Sequence, residues 1–147
     1  MDSKTDYFAS VRASKDFEKA IEMIPYAKLL GIRFQESEEE GLLFHLPFHE
    51  KNIGNKRLPA IHGGVIGGFM ESAAIIHLMW TMESAGMPKV VDFSLDYTSS
   101  GRAEDTYASC NIVKLGRRIA NVQIQAWQSS RQKVIAVARS HFKLIIE

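Results

Sequence analysis

The chain has 147 residues, 46% hydrophobic and 24% charged, with a formal net charge of +1. That length suffices for one domain with a real core, and the balance argues against disorder. No basic stripe marks a general nucleic-acid binder, and the single cysteine, Cys110, excludes an intrachain disulfide.

Met1–Ala13 lacks an apolar signal core and carries Asp2 and Asp6, so the expected compartment is the cytoplasm. Residues 14–30 read as a helix. Ser14 is the expected N-cap, Asp16 and Glu18 suit the first turns, and Phe17, Ile21 and Ile24 recur at helical spacing. Pro25 breaks or kinks it and Gly31 ends it. Ile32–Glu36 and Leu42–Phe48 form a strand pair around the Glu38–Gly41 turn, whose acids are expected in solvent. Residues 49–61 follow as a long irregular loop, a common place for function.

The most informative stretch is Ala60–Glu71, where His62-Gly63-Gly64 opens a helix of about 64–84 that is apolar almost all round. Such a helix must be surrounded. Its glycines bare the entrance, where free N–H groups meet an anion or a polarised carbonyl. One carboxylate, Glu71, sits inside it, and burying an acid is costly without partners. Exposed amides beside a sequestered carboxylate point to acyl chemistry. Gly63–Met82 is about long enough to cross a bilayer. An ionised acid at mid-span opposes insertion by about 2.5–3.5 kcal/mol, which makes a buried core helix the expected reading and no membrane the expected partner.

After Gly86 and Pro88 the pattern has period two. Val91, Phe93, Leu95 and Tyr97 share one face; Ala120, Val122, Ile124 and Ala126 share another; Ala136, Ala138, Ser140, Phe142 and Leu144 a third. Cys110 lies in a further strand-like run as a small buried hydrophobe. Leu115–Arg118 and Ser129–Gln132 are compact hairpin loops. Each strand offers one apolar face, and small inward residues allow a helix to approach closely. A sheet wrapped around one helix is the simplest packing that buries both, giving an α+β class.

These residues resemble the hotdog-fold thioesterases, specifically the PaaI-like acyl-CoA thioesterase group. The marks are His62-Gly63-Gly64 at the helix start, an acid nine residues after that His, and Val90–Tyr97. The Gly101–Thr106 turn and the Lys114–Arg118 hairpin match in style. The likeness covers roughly residues 30–146. It implies one hotdog domain over 1–147, with 1–30 a helical extension. It also implies a homodimer, often paired into a homotetramer, with sites at the dimer interface. The implied reaction is hydrolysis of acyl-CoA without metal or cofactor, coenzyme A entering only as part of the substrate.

By matching position, Glu71 is the catalytic acid and Gly64, with Gly63, offers a backbone N–H to the thioester carbonyl. Related enzymes often carry Asn six residues before the His, where this chain has Lys56. Asn55 is then the candidate for that polar role, with Asn52 behind it. Val90 stands where relatives place a Ser or Thr, and Glu71 is one methylene longer than the Asp common in the group. His62 is expected to orient the turn or touch substrate. Arg102, Arg117 and Arg118, with Lys56 and Arg57, are candidates for the CoA phosphates. His77 is expected as a satisfied interior or interface histidine, while His45, His49 and His141 have no evident partners. Two other readings are a non-catalytic acyl-CoA binding protein and a hotdog hydratase or dehydratase pairing His49 with Glu71.

Overall fold

The computed structural model describes residues 3–82 and 86–145. Three short helices come first: α1 (Ser3–Ala13), α2 (Phe17–Glu22) and α3 (Pro25–Leu30). The single helix expected over 14–30 is therefore two. Lys15 adopts a positive φ of 55°, which makes a turn there. Asp16, not Ser14, is the N-cap of α2 and accepts from the Lys19 N–H, while the Ser14 hydroxyl donates back to Val11 O. Pro25 starts α3, since its locked φ suits a first turn. Gly31 closes α3 at φ 73°, a left-handed cap suited to glycine.

The strands are β1 (Arg33–Ser37), β2 (Gly41–Leu46), β3 (Ile53–Asn55), β4 (Ala60–Ile61), β5 (Lys89–Tyr97), β6 (Thr106–Leu115), β7 (Ile119–Trp127) and β8 (Val134–Lys143). Six of them form one antiparallel sheet in the order β1-β2-β6-β7-β8-β5. The remaining two, β3 and β4, make a small ribbon inside the stretch expected to be irregular. The sheet curves around α4 (Gly63–Met82), the hotdog arrangement expected from the sequence. The expected end of this helix near Glu83 lies outside the described residues.

The inner face of the sheet sets small residues among large ones such as Phe44, Val122, Ile124 and Phe142. Ala108, Ala120, Ala126, Ala136, Ala138 and Ser140 are all essentially inaccessible. Their size lets Ile66, Phe69, Met70, Ile76 and Leu78 of α4 bury fully against the strands. By length and apolarity α4 could cross a membrane; here it is the core. The far end of α4 is held by rings: Trp80 meets Phe8, Phe17 and Phe34 at centroid distances of 6.2, 5.3 and 5.1 Å. Phe8 comes from α1 and Phe17 from α2, so the N-terminal helices are part of the core.

Strand β5 is an edge, paired only with β8. The register shifts between Val90 and Asp92, which leaves Val91 as an unpaired bulge residue, 59% exposed, outside the apolar row expected for it. Phe93 and Leu95 keep their inward positions.

Several polar groups are paired across the chain. Glu40 leaves the expected solvated run to bind Arg131 at 2.6 Å, and that hydrogen bond holds its carboxyl below the usual range. His45 Nε2 lies 2.8 Å from Asp105, and His141 Nδ1 lies 2.9 Å from Asp92. The Cys110 thiol is buried, and desolvation pushes its pKa far up, as befits an inert hydrophobe.

His77 departs from expectation. It is buried, its Nδ1 has no partner, and burial pushes its pKa down to about 4. The folded protein thus refuses a proton that the unfolded chain accepts between about pH 6.5 and 4, so this group costs stability as pH falls through that window and no more below it. A His77→Leu variant is expected to gain on wild type by on the order of 2–3 kcal/mol between pH 7 and pH 4 in urea unfolding. A stability difference that stays constant across that range would refute it.

Candidate active site

The entrance to α4 is built from backbone hydrogen bonds. Ile61 N–H donates to Gly101 O at 2.9 Å, and His62 N–H donates to Asn52 O at 2.8 Å. Gly54 lies beneath His62, where a Cβ would stand 2.7 Å from the His62 Cα. Only glycine permits that approach, so β3 and the helix entrance are pressed together.

His62 itself is exposed and acts as a cap. Its Nδ1 accepts the Gly64 N–H at 2.9 Å, and its carbonyl accepts from Val65. An imidazole nitrogen that accepts is unprotonated, so the neutral ring carries its proton on Nε2. The Gly64 N–H expected to be open is therefore held by His62, and the Gly63 N–H is the unpaired donor of the helix start among the described residues. Tyr97 adds a second clasp, its hydroxyl donating to Gly63 O at 2.6 Å.

Past this entrance, one stripe of α4 stays uncovered. Gly64 is exposed, while Gly67, Gly68, Glu71 and Ile75 are half-buried, all on one helical face by their three- and four-residue spacing. The opposite faces of the helix, from Ile66 to Trp80, are buried. Glu71 is thus not sequestered within the protomer as expected. It is half-buried, and it makes no hydrogen bond or ion pair among the described residues. It stands seven residues past Gly64, roughly 10 Å along the axis, too far for both to hold one thioester in the same chain.

The other site residues divide into two places. Asn55 is exposed, and its Oδ1 accepts the Arg57 N–H, so it caps its own turn. Lys56 and Arg57 ride that exposed turn, next to Leu58 and Pro59. Those two line a cleft of about 400 Å³ together with Arg102 and Lys133. Lys133 was missed in the sequence because the β7–β8 loop that carries it is brought to Arg102 only by the fold. Gln128, also missed, is buried and clamps that loop: its Oε1 accepts from Arg102 N–H while its Nε2 donates to Arg102 O. Arg117 and Arg118 lie on the β6–β7 hairpin, at the opposite end of the strands. The structure does not bring them to Arg102 within one protomer. His49 accepts from the Lys51 N–H in its own turn and does not pair with Glu71.

Residues 58–135 match the model of the Thioesterase superfamily. The chain belongs to that superfamily. The match spans the helix entrance, α4 and β5–β7 and leaves α1–α3 outside it. A protein from Chromobacterium violaceum of known crystal structure is 48% identical, covering 97% of this chain and 98% of its own, with a TM-score of 0.80. Two more distant solved structures share the fold. One is a phenylacetic acid degradation-related protein from Ralstonia eutropha, 17% identical over 83% of this chain and 90% of its own, TM-score 0.72. The other is a Bacillus halodurans protein solved with CoA, 18% identical over 100% and 97%, TM-score 0.72. No curated protein matches the chain.

The cap geometry makes a measurable prediction. His62→Ala is expected to lower stability by about 1 kcal/mol, and His62→Asn, a good capping residue, to retain most of it. Chemical denaturation reads the difference; equal stability of all three proteins would remove the cap from the account.

Proposed function

We propose that this thioesterase-superfamily protein hydrolyses acyl-CoA thioesters, with Glu71 as the catalytic acid. Superfamily membership supports acyl-thioester hydrolysis in general. The observation that carries the finer reading is Glu71 itself: an unpaired carboxylate on the one uncovered stripe of a core helix, a stripe floored with glycine. A structural acid in that setting has a partner; a working one keeps its lone pairs free.

The site is formed between two protomers. In one chain Glu71 and the helix entrance are too far apart, and β5 offers an open edge bearing Val90, Val91 and Tyr97. An edge of that length invites pairing. A two-fold pairing through β5 continues the sheet and sets Glu71 of one subunit against the Gly63–Gly64 entrance of the other.

In this reading the thioester carbonyl sits at the Gly63 N–H, and the Gly64 N–H turns to it from His62 Nδ1. Glu71 takes a proton from a water whose oxygen forms a bond to the carbonyl carbon. The carbonyl electrons move onto oxygen, where the amides and the helix dipole stabilise the charge. Collapse restores the carbonyl and breaks the C–S bond, and the proton on Glu71 passes to sulfur. The CoA phosphates lie at the Arg102 and Lys133 cleft, with Lys56 and Arg57 beside it. Asn55 is left to its turn, and the two-fold pairing turns the hairpin end that carries Arg117 and Arg118 toward the partner's cleft.

The reading of a non-catalytic acyl-CoA binding protein has one observation in its favour, the engagement of Gly64 by His62. Thiol release decides between them. Wild type is expected to release thiol from members of a short, long and aromatic acyl-CoA panel, and Glu71→Gln to lose about 10²–10⁴-fold in kcat with its circular dichroism unchanged. Binding without release by wild type would favour the carrier reading. Sedimentation showing a monomer would sink the interface-built site.

A further inference from the structure

The glycine stripe is walled on both sides by tyrosine, and one wall comes from outside the superfamily match. On the β5 side, a Cβ at Gly63 would stand 2.9 Å from the Tyr97 hydroxyl, and a Cβ at Gly67 would stand 3.2 Å from Leu95. On the other side stands Tyr26 of α3. A Cβ at Gly68 would come 2.5 Å from its Cε1 and 3.3 Å from its hydroxyl. The floor between the rings is bare backbone. Gly68 is four residues past Gly64 and three before Glu71, so the Tyr26 ring overhangs the helix surface midway between the amide donors and the acid.

Tyr26 does not behave as a core aromatic. Phe8, Phe34 and Phe44 are at most 5% exposed, whereas Tyr26 is 45% exposed although its edge touches the helix backbone. Its hydroxyl has no partner among the described residues. Nor is it a loose surface ring. Pro25 and Gly31 fix the two ends of α3, Ala27 is fully buried beneath it, and the preceding α2 is pinned by the stacking of Phe17 on Trp80. A large ring on a rigid support, touching the bare stripe and open to solvent on its other face, is a wall against which something else packs.

We propose that Tyr26 limits the size of the acyl group the site accepts. This rests on the acyl-thioesterase reading above. An acyl chain attached to a carbonyl held at the helix entrance, and running along that helix's glycine floor from Gly64 past Gly67, meets the Tyr26 ring at Gly68 after one helical turn, before it reaches the same chain's Glu71, which serves the other site of the dimer. Short chains stop before the ring, and long chains collide with it, since its anchored helix prevents its retreat. Each methylene gained or refused in an apolar slot is worth about 10–200-fold in specificity, so one ring is sufficient to set a cut-off.

The test is a chain-length profile of kcat/KM over saturated acyl-CoAs from acetyl to palmitoyl, for wild type, Tyr26→Ala and Tyr26→Phe, each checked for its thermal unfolding midpoint. Tyr26→Ala is expected to raise the long-to-short ratio at least tenfold. Tyr26→Phe, which keeps the ring, is expected to keep the wild-type profile. A folded, active Tyr26→Ala with an unchanged ratio, or one whose activity falls equally on every chain length, overturns the wall. If wild type releases thiol from no acyl-CoA, the thioesterase reading fails and takes this inference with it. The two failures are therefore distinguishable.

Discussion

The burial of α4 is the constraint on which the rest of this structure depends. A helix with one charge in its twenty described residues has no stable place except inside something. A flat sheet would cover one side only. The sheet here closes around it with alanine and serine set among larger inward residues, Phe44, Val122, Ile124 and Phe142, which leaves room for the large side chains of the helix to bury as well. The aromatic cluster on Trp80 then closes the far end. What the sheet and the N-terminal helices cover only in part is the narrow stripe through Gly64, Gly67, Gly68 and Glu71. The candidate site is the remainder of the packing problem, which is why its floor is backbone and the charge on it, Glu71, is unpaired among the described residues.

The entrance shows how backbone geometry sets up chemistry. Gly54 lets β3 lie against His62, Asn52 O and Gly101 O hold the two residues before the helix, and the His62 ring then turns back onto the Gly64 amide. Each element would be ordinary alone. Together they fix the tautomer of His62 and the direction of the Gly63 amide, while the Gly64 amide is held on His62. A donor that points to a fixed place before substrate arrives costs no reorganisation during the reaction.

Period and composition made α4 and the long strands legible, because a helix without a polar face and strands with strict alternation leave few alternatives. The glycine-rich entrance and Glu71 were legible for the same reason. Other features depend on contacts distant in sequence. Among its described side chains, helix α1 buries Phe8 and Val11, too sparse a pattern to read as a period. Ser14 is the expected cap, and the turn at Lys15 moves that role to Asp16. The pairs Glu40–Arg131, His45–Asp105 and His141–Asp92 join residues 91, 60 and 49 positions apart. The bulge at Val91 shifts a face that alternation alone assigns wrongly. The exposure of Glu71 was hidden because hydrophobic spacing says that a helix is buried without saying which stripe its neighbours leave open.

The division of basic residues between the two ends of the sheet fits the same geometry. Arg102 and Lys133 sit at the end where α4 begins, while Arg117 and Arg118 sit where it finishes. In a protomer alone that separation has no use for a single ligand. A two-fold pairing through the β5 edges runs the strands antiparallel across the junction, so the hairpin end of one subunit returns beside the helix entrance of the other. In the proposed dimer, the operation that would carry Glu71 to the facing amides would also carry Arg117 and Arg118 toward the partner's Arg102 cleft. On the proposed reading, one symmetry operator would serve both the acyl end and the phosphate end of the candidate site.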